Sequence, residues 1–309
     1  MVKKKETGRN NTEPNNNIIK EEINLQLHWY LPAFFVIYFA SFLIPAVIFM
    51  LFIMMFYLPF FLEVRDFISL FTNIPSLIAA LTIPIIIVIC YLIHLFVVAL
   101  ITRWFWSISE KRSPSKSGII PRNIPSKTLN YYHFRSFIIK YPKNAFSRGP
   151  FPWLVKWMFN FTKTNKIGRS SVIEEQIAGD RFVSIGENCY LGTNIAISSH
   201  AVEGIFGNIS FARVNIGNNV TTAGFNCIAP GVDTGDNSWW FPMTGATKYN
   251  ILKGNNFYLG TPLRKIFKRK VIEYLQISED DLNRAEELNK ILESRMVKKK
   301  KKKELLSND

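Results

Sequence analysis

Cysteine is scarce in this chain: Cys90, Cys189 and Cys227 are the only three, none of them closely spaced, which excludes a disulfide framework. Histidine is nearly as rare, with His28, His94, His133 and His200 spread too widely along the chain to suggest three ligands on one metal. Charge is missing altogether from the 34 residues Trp29 to Leu62, and again from Phe67 to Thr102. Acid is nearly missing from Arg103 to Lys166, where thirteen basic side chains face the single carboxylate Glu110. That segment holds a local charge of +12 out of a formal +15 for all 309 residues. Hydrophobic residues make up 48% of the chain, which excludes a disordered protein. Because the excess charge is segregated, a uniformly basic nucleic-acid binder is a poor fit, and no nucleic-acid partner is expected.

The two uncharged runs each exceed the roughly 20 residues that a bilayer helix requires. Joined by the short charged link Glu63, Arg65 and Asp66, they predict a transmembrane helical hairpin over residues 29–102. The basic run behind the second span marks the cytoplasmic face, so both termini and everything after the hairpin are expected in the cytoplasm. Residues 1–28 are polar and read as a disordered cytoplasmic N-terminus; a first apolar run this long, behind so polar a lead, does not fit a cleavable signal peptide. Pro32, Pro45, Pro59, Pro75 and Pro84 punctuate the spans and require neighbouring groups to satisfy the freed carbonyls. His94 lies inside the second span, where it either marks a proton path or hydrogen-bonds across the helix pair. No Asp, Glu, Lys or Arg accompanies it there, which argues against a pump.

Residues 103–165 combine the basic excess with Trp104, Phe105, Trp106 and the stretch FPWLVKWMFNF from Phe151 to Phe161. Rings that bury apolar area beside cationic groups suit the headgroup zone and anionic lipid. A helix cap packed on the following domain is the alternative for Phe151 to Phe161.

From Ile167 onward the period becomes six. Ile167, Ile173, Gly179, Ile185, Leu191 and Ile197 form one register, with Gly168, Gly186 and Gly192 directly after three of them. Ile216, Thr222, Ile228, Thr234, Trp240 and Ala246 form a second, preceded two places earlier by Val214, Val220 and Val232. Such a repeat makes one flat face of a triangular coil per six residues, with each coil closing the edge of the one before. A β-helix is therefore expected over 166–266. The stretch resembles the hexapeptide-repeat acyltransferase superfamily. More narrowly, a membrane hairpin, a basic connector and a β-helix with SSHAVEG before VNIGNNV resemble the membrane-bound terminal domains of non-ribosomal peptide synthetases such as ε-poly-lysine synthetase. The resemblance implies left-handed coils, a homotrimer and an acyl-CoA or acyl-carrier thioester as co-substrate, with no metal.

The repeat breaks between Ile197 and Ile216, which are 19 residues apart, one more than three steps of six. The interruption holds His200, the single histidine of the β-helix, followed by Glu203. An imidazole near neutral pKa suits removal of a proton from an attacking amine or hydroxyl, and a nearby carboxylate suits fixing its tautomer. A loop histidine has that role in the resembled family, and His200 in SSHAVEG is the matching position; a histidine that merely hydrogen-bonds at a loop base is the alternative. Ser198, Ser199 and Asn226 are candidates to orient substrate or ordinary corner fillers. Trp239 and Trp240 are candidates to stack on an adenine or acyl chain, or to pack.

Residues 267–309 predict a C-terminal helix, started by Ser278 and Asp281, with Leu282, Ala285, Leu288, Leu292 and Met296 on one face, and ended by the lysine run Lys298 to Lys303. The fold class is thus a membrane α-helical hairpin plus an all-β parallel β-helix with a C-terminal helix. The function expected is a membrane-anchored acyltransferase acting on a small-molecule amine or hydroxyl acceptor, or else a non-catalytic trimeric scaffold.

Overall fold

The structure, a computed structural model, describes residues 27–59, 66–122, 124–174, 181–203 and 207–266, with scattered positions from 272 to 294. Helix α1 (Leu27–Phe52) runs on into a π-helical turn at Ile53–Tyr57, and a short α2 (Phe67–Thr72) precedes α3 (Ile74–Arg112). The π turn falls just ahead of Pro59, where a widened backbone accommodates a ring that would crowd the preceding turn. Both long helices are apolar and long enough to cross a bilayer. Helix α3 continues ten residues past Thr102, so the sequence-derived boundary between hairpin and connector falls inside one helix.

One proline in this hairpin explains a histidine. Pro45 has no N–H to donate to the carbonyl four residues back, which belongs to Ser41. His94 Nδ1 takes that place, 3.2 Å from Ser41 O. Because a carbonyl can only accept, Nδ1 carries the proton, and Nε2 of the neutral ring accepts from Tyr141 Oη at 3.0 Å. Cys90 Sγ donates to Pro45 O at 3.6 Å one turn away. His94 is therefore a cross-helix strut that repairs the proline site.

The connector folds into β1 (Gly118–Ile120), α4 (Lys127–Ile138), α5 (Lys140–Ser147) and α6 (Leu154–Thr162). Ser126 caps α4 by accepting from Leu129 N at 3.1 Å. Glu110, the one acid of the segment, pairs with the buried Arg135 at 2.9 Å. The same guanidinium donates to Ser109 O and Ser113 O, carbonyls of the last turn of α3 and its cap. The packing alternative for Phe151 to Phe161 holds for one face of α6. Met158 and Phe159 are buried in the core, whereas Trp153 and Trp157 lie outward, Trp153 at 69% exposure. Asn160 closes the first coil by accepting from Ile167 N at 2.8 Å and donating to Ile167 O at 3.0 Å, so its amide occupies a strand edge.

Three parallel sheets form the β-helix. The first stacks β2 (Lys166–Ile167), β4 (Val183–Ile185), β9 (Val214–Ile216), β12 (Asp233–Thr234) and β15 (Ile251–Leu252). The second stacks β3 (Val172–Ile173), β5 (Tyr190–Leu191), β10 (Thr221–Thr222), β13 (Trp239–Trp240) and β16 (Phe257–Leu259); the third stacks β6 (Ala196–Ile197), β11 (Cys227–Ile228) and β14 (Gly245–Ala246). Antiparallel β17 (Arg264–Ile266) covers the last edge. Ile185 lies over Ile167 and Trp240 over Thr222, eighteen residues apart, as three steps of six require.

Corner chemistry divides between two positions, the glycine after the register residue and a turn residue beyond it. Gly168 and Gly186 are needed for close approach: a Cβ on Gly186 would sit 2.4 Å from Gly217 O, and one on Gly168 would sit 2.2 Å from Gly186 O. The left-handed turn residue comes two places later and is often asparagine, the non-glycine residue that best tolerates that conformation. Asn188, Asn219, Asn237 and Asn255 all have φ of 55–57° and hand their amides up one corner, Nδ2 to Oδ1, at 2.9–3.0 Å.

Among the described residues the interior holds both registers except Ile173, which is partly buried, and it includes the unusual members. Trp240 is 0% exposed and fills the prism, and within its own coil the small Thr234 and Ala246 make room for the indole. Trp240 Nε1 and Thr234 Oγ1 are buried without a hydrogen-bond partner. Gly179 lies outside the described residues. In the tail, Ile272, Asp280, Asn283, Glu287, Lys290 and Ser294 are helical, whereas Asp281, the apolar series Leu282 to Met296 and the lysine run lie outside the described residues.

Candidate functional site

The break in the repeat is an insertion of thirteen residues. Ile216 lies over Ile185 and Ile228 over Ile197, both 31 residues apart, thirteen beyond the normal eighteen. The extra residues form an antiparallel hairpin of β7 (His200–Glu203) and β8 (Asn208–Phe211). Strand β1 of the connector adds to its other edge, making a three-stranded sheet in the order β1-β8-β7. A second small core, built from Ile120, Leu129, Tyr132, Ile209 and Phe211, packs α4 onto this sheet. The insertion is thus folded against the connector.

His200 opens β7 opposite Phe211, half-buried, with its ring 5.9 Å from that of Tyr132 and edge-on to it. Ser198 braces the turn before it: Ser198 Oγ donates to His200 O at 2.5 Å and accepts from His200 N at 3.3 Å. Ser199 is buried at the hairpin base, where its carbonyl accepts from Ala212 N at 2.9 Å. Glu203 is not brought to His200. Three residues along an extended strand is about 10 Å and places the two side chains on opposite faces. Glu203 instead pairs with Lys248 and accepts from Ser210 Oγ at 3.1 Å, and Lys248 Nζ also reaches Ser210 Oγ at 3.0 Å. The lysine beside it holds the Glu203 carboxyl below the usual carboxylate range.

The other sequence candidates serve the prism or another face. Asn226 is buried in a corner, its Nδ2 donating to Ala223 O and its Oδ1 accepting from Thr244 N, both at 2.8 Å. Trp240 is the core residue described above. Trp239 belongs to the second sheet, whereas the hairpin grows from the end of the third; it stacks on Phe241 at 6.0 Å and leans on Phe257 at 6.1 Å.

Residues that sequence reasoning passed over surround Tyr132. Arg181, nearly fully buried, lies 4.1 Å from the Tyr132 ring centroid and donates to Tyr132 O and to Ser136 Oγ. His133, the next residue of α4, is pushed down to about 4 by burial first and then by the charges of Arg122 and Arg181. Its Nε2 is buried without a hydrogen-bond partner. The available signal was Tyr132–His133 within a 12-residue helical pattern behind a serine cap, but nothing in the local sequence tied that helix to the SSHAVEG insertion.

No family model matches the chain, and no curated relative matches it. Solved structures similar to it include a hexapeptide-repeat acetyltransferase from Vibrio cholerae O1 biovar eltor complexed with acetyl coenzyme A, at 18% identity and TM-score 0.32 over 35% of this chain and 61% of that one. A galactoside acetyltransferase in complex with coenzyme A is 30% identical over 35% of this chain and 56% of that one, with TM-score 0.32. A maltose O-acetyltransferase from Clostridium difficile 630 is 16% identical over 54% of this chain and 86% of that one, with TM-score 0.28. The chain therefore spans less than two thirds of the first two. Its likeness is to hexapeptide-repeat acetyltransferases.

Proposed function

We propose that this chain is a membrane-anchored acyltransferase in which His200 is the general base. The acceptor amine or hydroxyl attacks the carbonyl of an acyl-CoA or acyl-carrier thioester as His200 takes its proton; the carbon–sulfur bond then breaks and the thiol leaves with that proton. A positioned base contributes about 10² to 10⁴ fold to such a step. One observation carries the reading: a β-helix needs no thirteen-residue insertion to continue its coils, yet this one departs from the stack there and places its single histidine at the start of the inserted hairpin. Ser198 fixes the backbone at His200, and Glu203, through Lys248, holds the hairpin to the prism. We place the hairpin of α1 and α3 in the membrane, with both termini and the β-helix cytoplasmic, and take the assembly as a homotrimer in which a neighbouring copy completes the cleft. Trp239 then remains the aromatic surface best suited to meet a donor or a neighbour. The chemistry requires no metal.

A second reading, a non-catalytic trimeric scaffold, is favoured by the edge contact of His200 with Tyr132 beneath α4. Free-thiol release from acetyl coenzyme A, assayed with a panel of amines and alcohols, separates the two. His200→Ala is expected to lower turnover at least a hundredfold, whereas Glu203→Gln leaves the pH profile in place. Undiminished turnover in His200→Ala overturns the assigned base. An unaltered protein that neither binds nor turns over any acyl donor leaves the scaffold.

A further inference from the structure

Outside the hairpin site, the molecule carries a cleft of about 690 Å³ between α1, the end of α3 and α4. Its walls are apolar: Trp29, Val36, Phe105, Ile108 and Phe134. Its polar groups gather at one end, where Arg112, Lys127 and Asn130 line it. Arg112 and Lys127 are both exposed there, and Tyr30, buried beneath, reaches Asn130 Oδ1 at 3.5 Å.

The level of this cleft follows from the register of the two long helices. They run antiparallel, with His94 on Ser41 and Cys90 on Pro45. Twelve residues from Ser41 is Trp29, and twelve from His94 is Trp106, so Trp29 comes level with the Trp104–Trp106 turn. Trp29 and Trp104 are both about 60% exposed. The cleft spans this level, with Ala33 and Val36 on the hairpin side and the cations Arg112 and Lys127 at the end beyond it.

We propose that the cleft binds an anionic membrane lipid, with an acyl chain between α1 and α4 and the headgroup at Arg112 and Lys127. An apolar slot alone would accept any lipid; the two cations at its polar end, with no carboxylate lining it, favour a negative headgroup. This rests on the membrane placement proposed above. The test is native mass spectrometry of the full chain in detergent, titrated with palmitoyl-oleoyl phosphatidylglycerol or with the phosphatidylcholine of the same chains. One phosphatidylglycerol is expected to bind at least tenfold more tightly than phosphatidylcholine. Arg112→Gln with Lys127→Gln, two exposed positions, is expected to remove the preference, and Val36→Trp, at an exposed wall position, to fill the slot and remove the bound lipid. Equal binding of both lipids, or a preference untouched by the double substitution, overturns the lipid site. Carbonate extraction of native membranes reads the membrane placement separately: release of the chain overturns that placement and the lipid site together, whereas retention with no headgroup preference overturns the lipid site alone.

Discussion

If His94 repairs the proline site in α1, its loss should be costly with Pro45 present and less costly without it. His94→Leu leaves Ser41 O without the donor now 3.2 Å away, and leaves Tyr141 Oη without the acceptor at 3.0 Å. A buried acceptor stripped of its partner costs about 1–3 kcal/mol, although interhelical bonds measured in membranes average nearer 0.6 with a maximum near 1.7 kcal/mol. We expect about 2 kcal/mol for His94→Leu alone, since two bonds are lost. Pro45→Ala restores a backbone N–H aimed at Ser41 O, so in that background the same substitution should cost about 1 kcal/mol less. The coupling is read from a double-mutant cycle of unfolding free energies, by titrating the purified protein from mild detergent into dodecyl sulfate and following tryptophan fluorescence. Additive costs, with no coupling beyond about 0.3 kcal/mol, would refute the strut. A stabilising effect of His94→Leu would refute it more strongly.

The interior and α4 yield further expectations. Thr234→Val keeps the shape while removing a buried hydroxyl without a partner, so it should stabilise by about 1 kcal/mol, and a lowered melting temperature would contradict that. The pH dependence has a defined sign at His133. Its folded pKa of about 4 lies below the ordinary 6.5, so the unfolded chain binds the extra proton between those values; the contribution is complete above pH 6.5 and is lost as pH falls toward 4. Two pH units correspond to about 2.7 kcal/mol, reduced to about 2 because the ring is only half-buried. Melting curves of His133→Phe should therefore fall less steeply than those of the unaltered chain between pH 6.5 and 4.5; parallel slopes would remove His133 as the cause.

The coils were legible because their chemistry is local. An aliphatic every sixth residue is a demand of each rung, and Ile167, Leu191, Ile197 and Ile228 occupy the interior positions that the spacing assigned. Even Trp240 kept its place, since the pattern concerns position and the neighbouring Thr234 and Ala246 supply the volume. The asparagine corner was visible in the sequence but masked by glycine, whose small size is used here for backbone approach rather than for turning. The hairpin resisted prediction for a different reason. Its register depends on β1, some ninety residues upstream, and its burial on α4; no spacing within SSHAVEG encodes either contact. The same distance hid the true partner of Glu203, since Lys248 lies two coils further along the stack and no rule of sequence proximity selects it over His200.

The charge pattern acquires a sharper meaning once Glu110 is located. In a segment of +12, the one carboxylate is not scattered on the surface but sits against buried Arg135, which also binds the last carbonyls of α3. A buried guanidinium deprived of that partner would be strongly disfavoured, by about 3–5 kcal/mol, so α4 is fastened to α3 at this point. Helix α4 presents Tyr132 to the His200 hairpin on one side and Asn130 with Phe134 to the cleft on the other. The orientation of the candidate base is therefore referenced, through one helix and one ion pair, to the apolar hairpin, as well as to the β-helix through Ser198 and the Glu203–Lys248 pair.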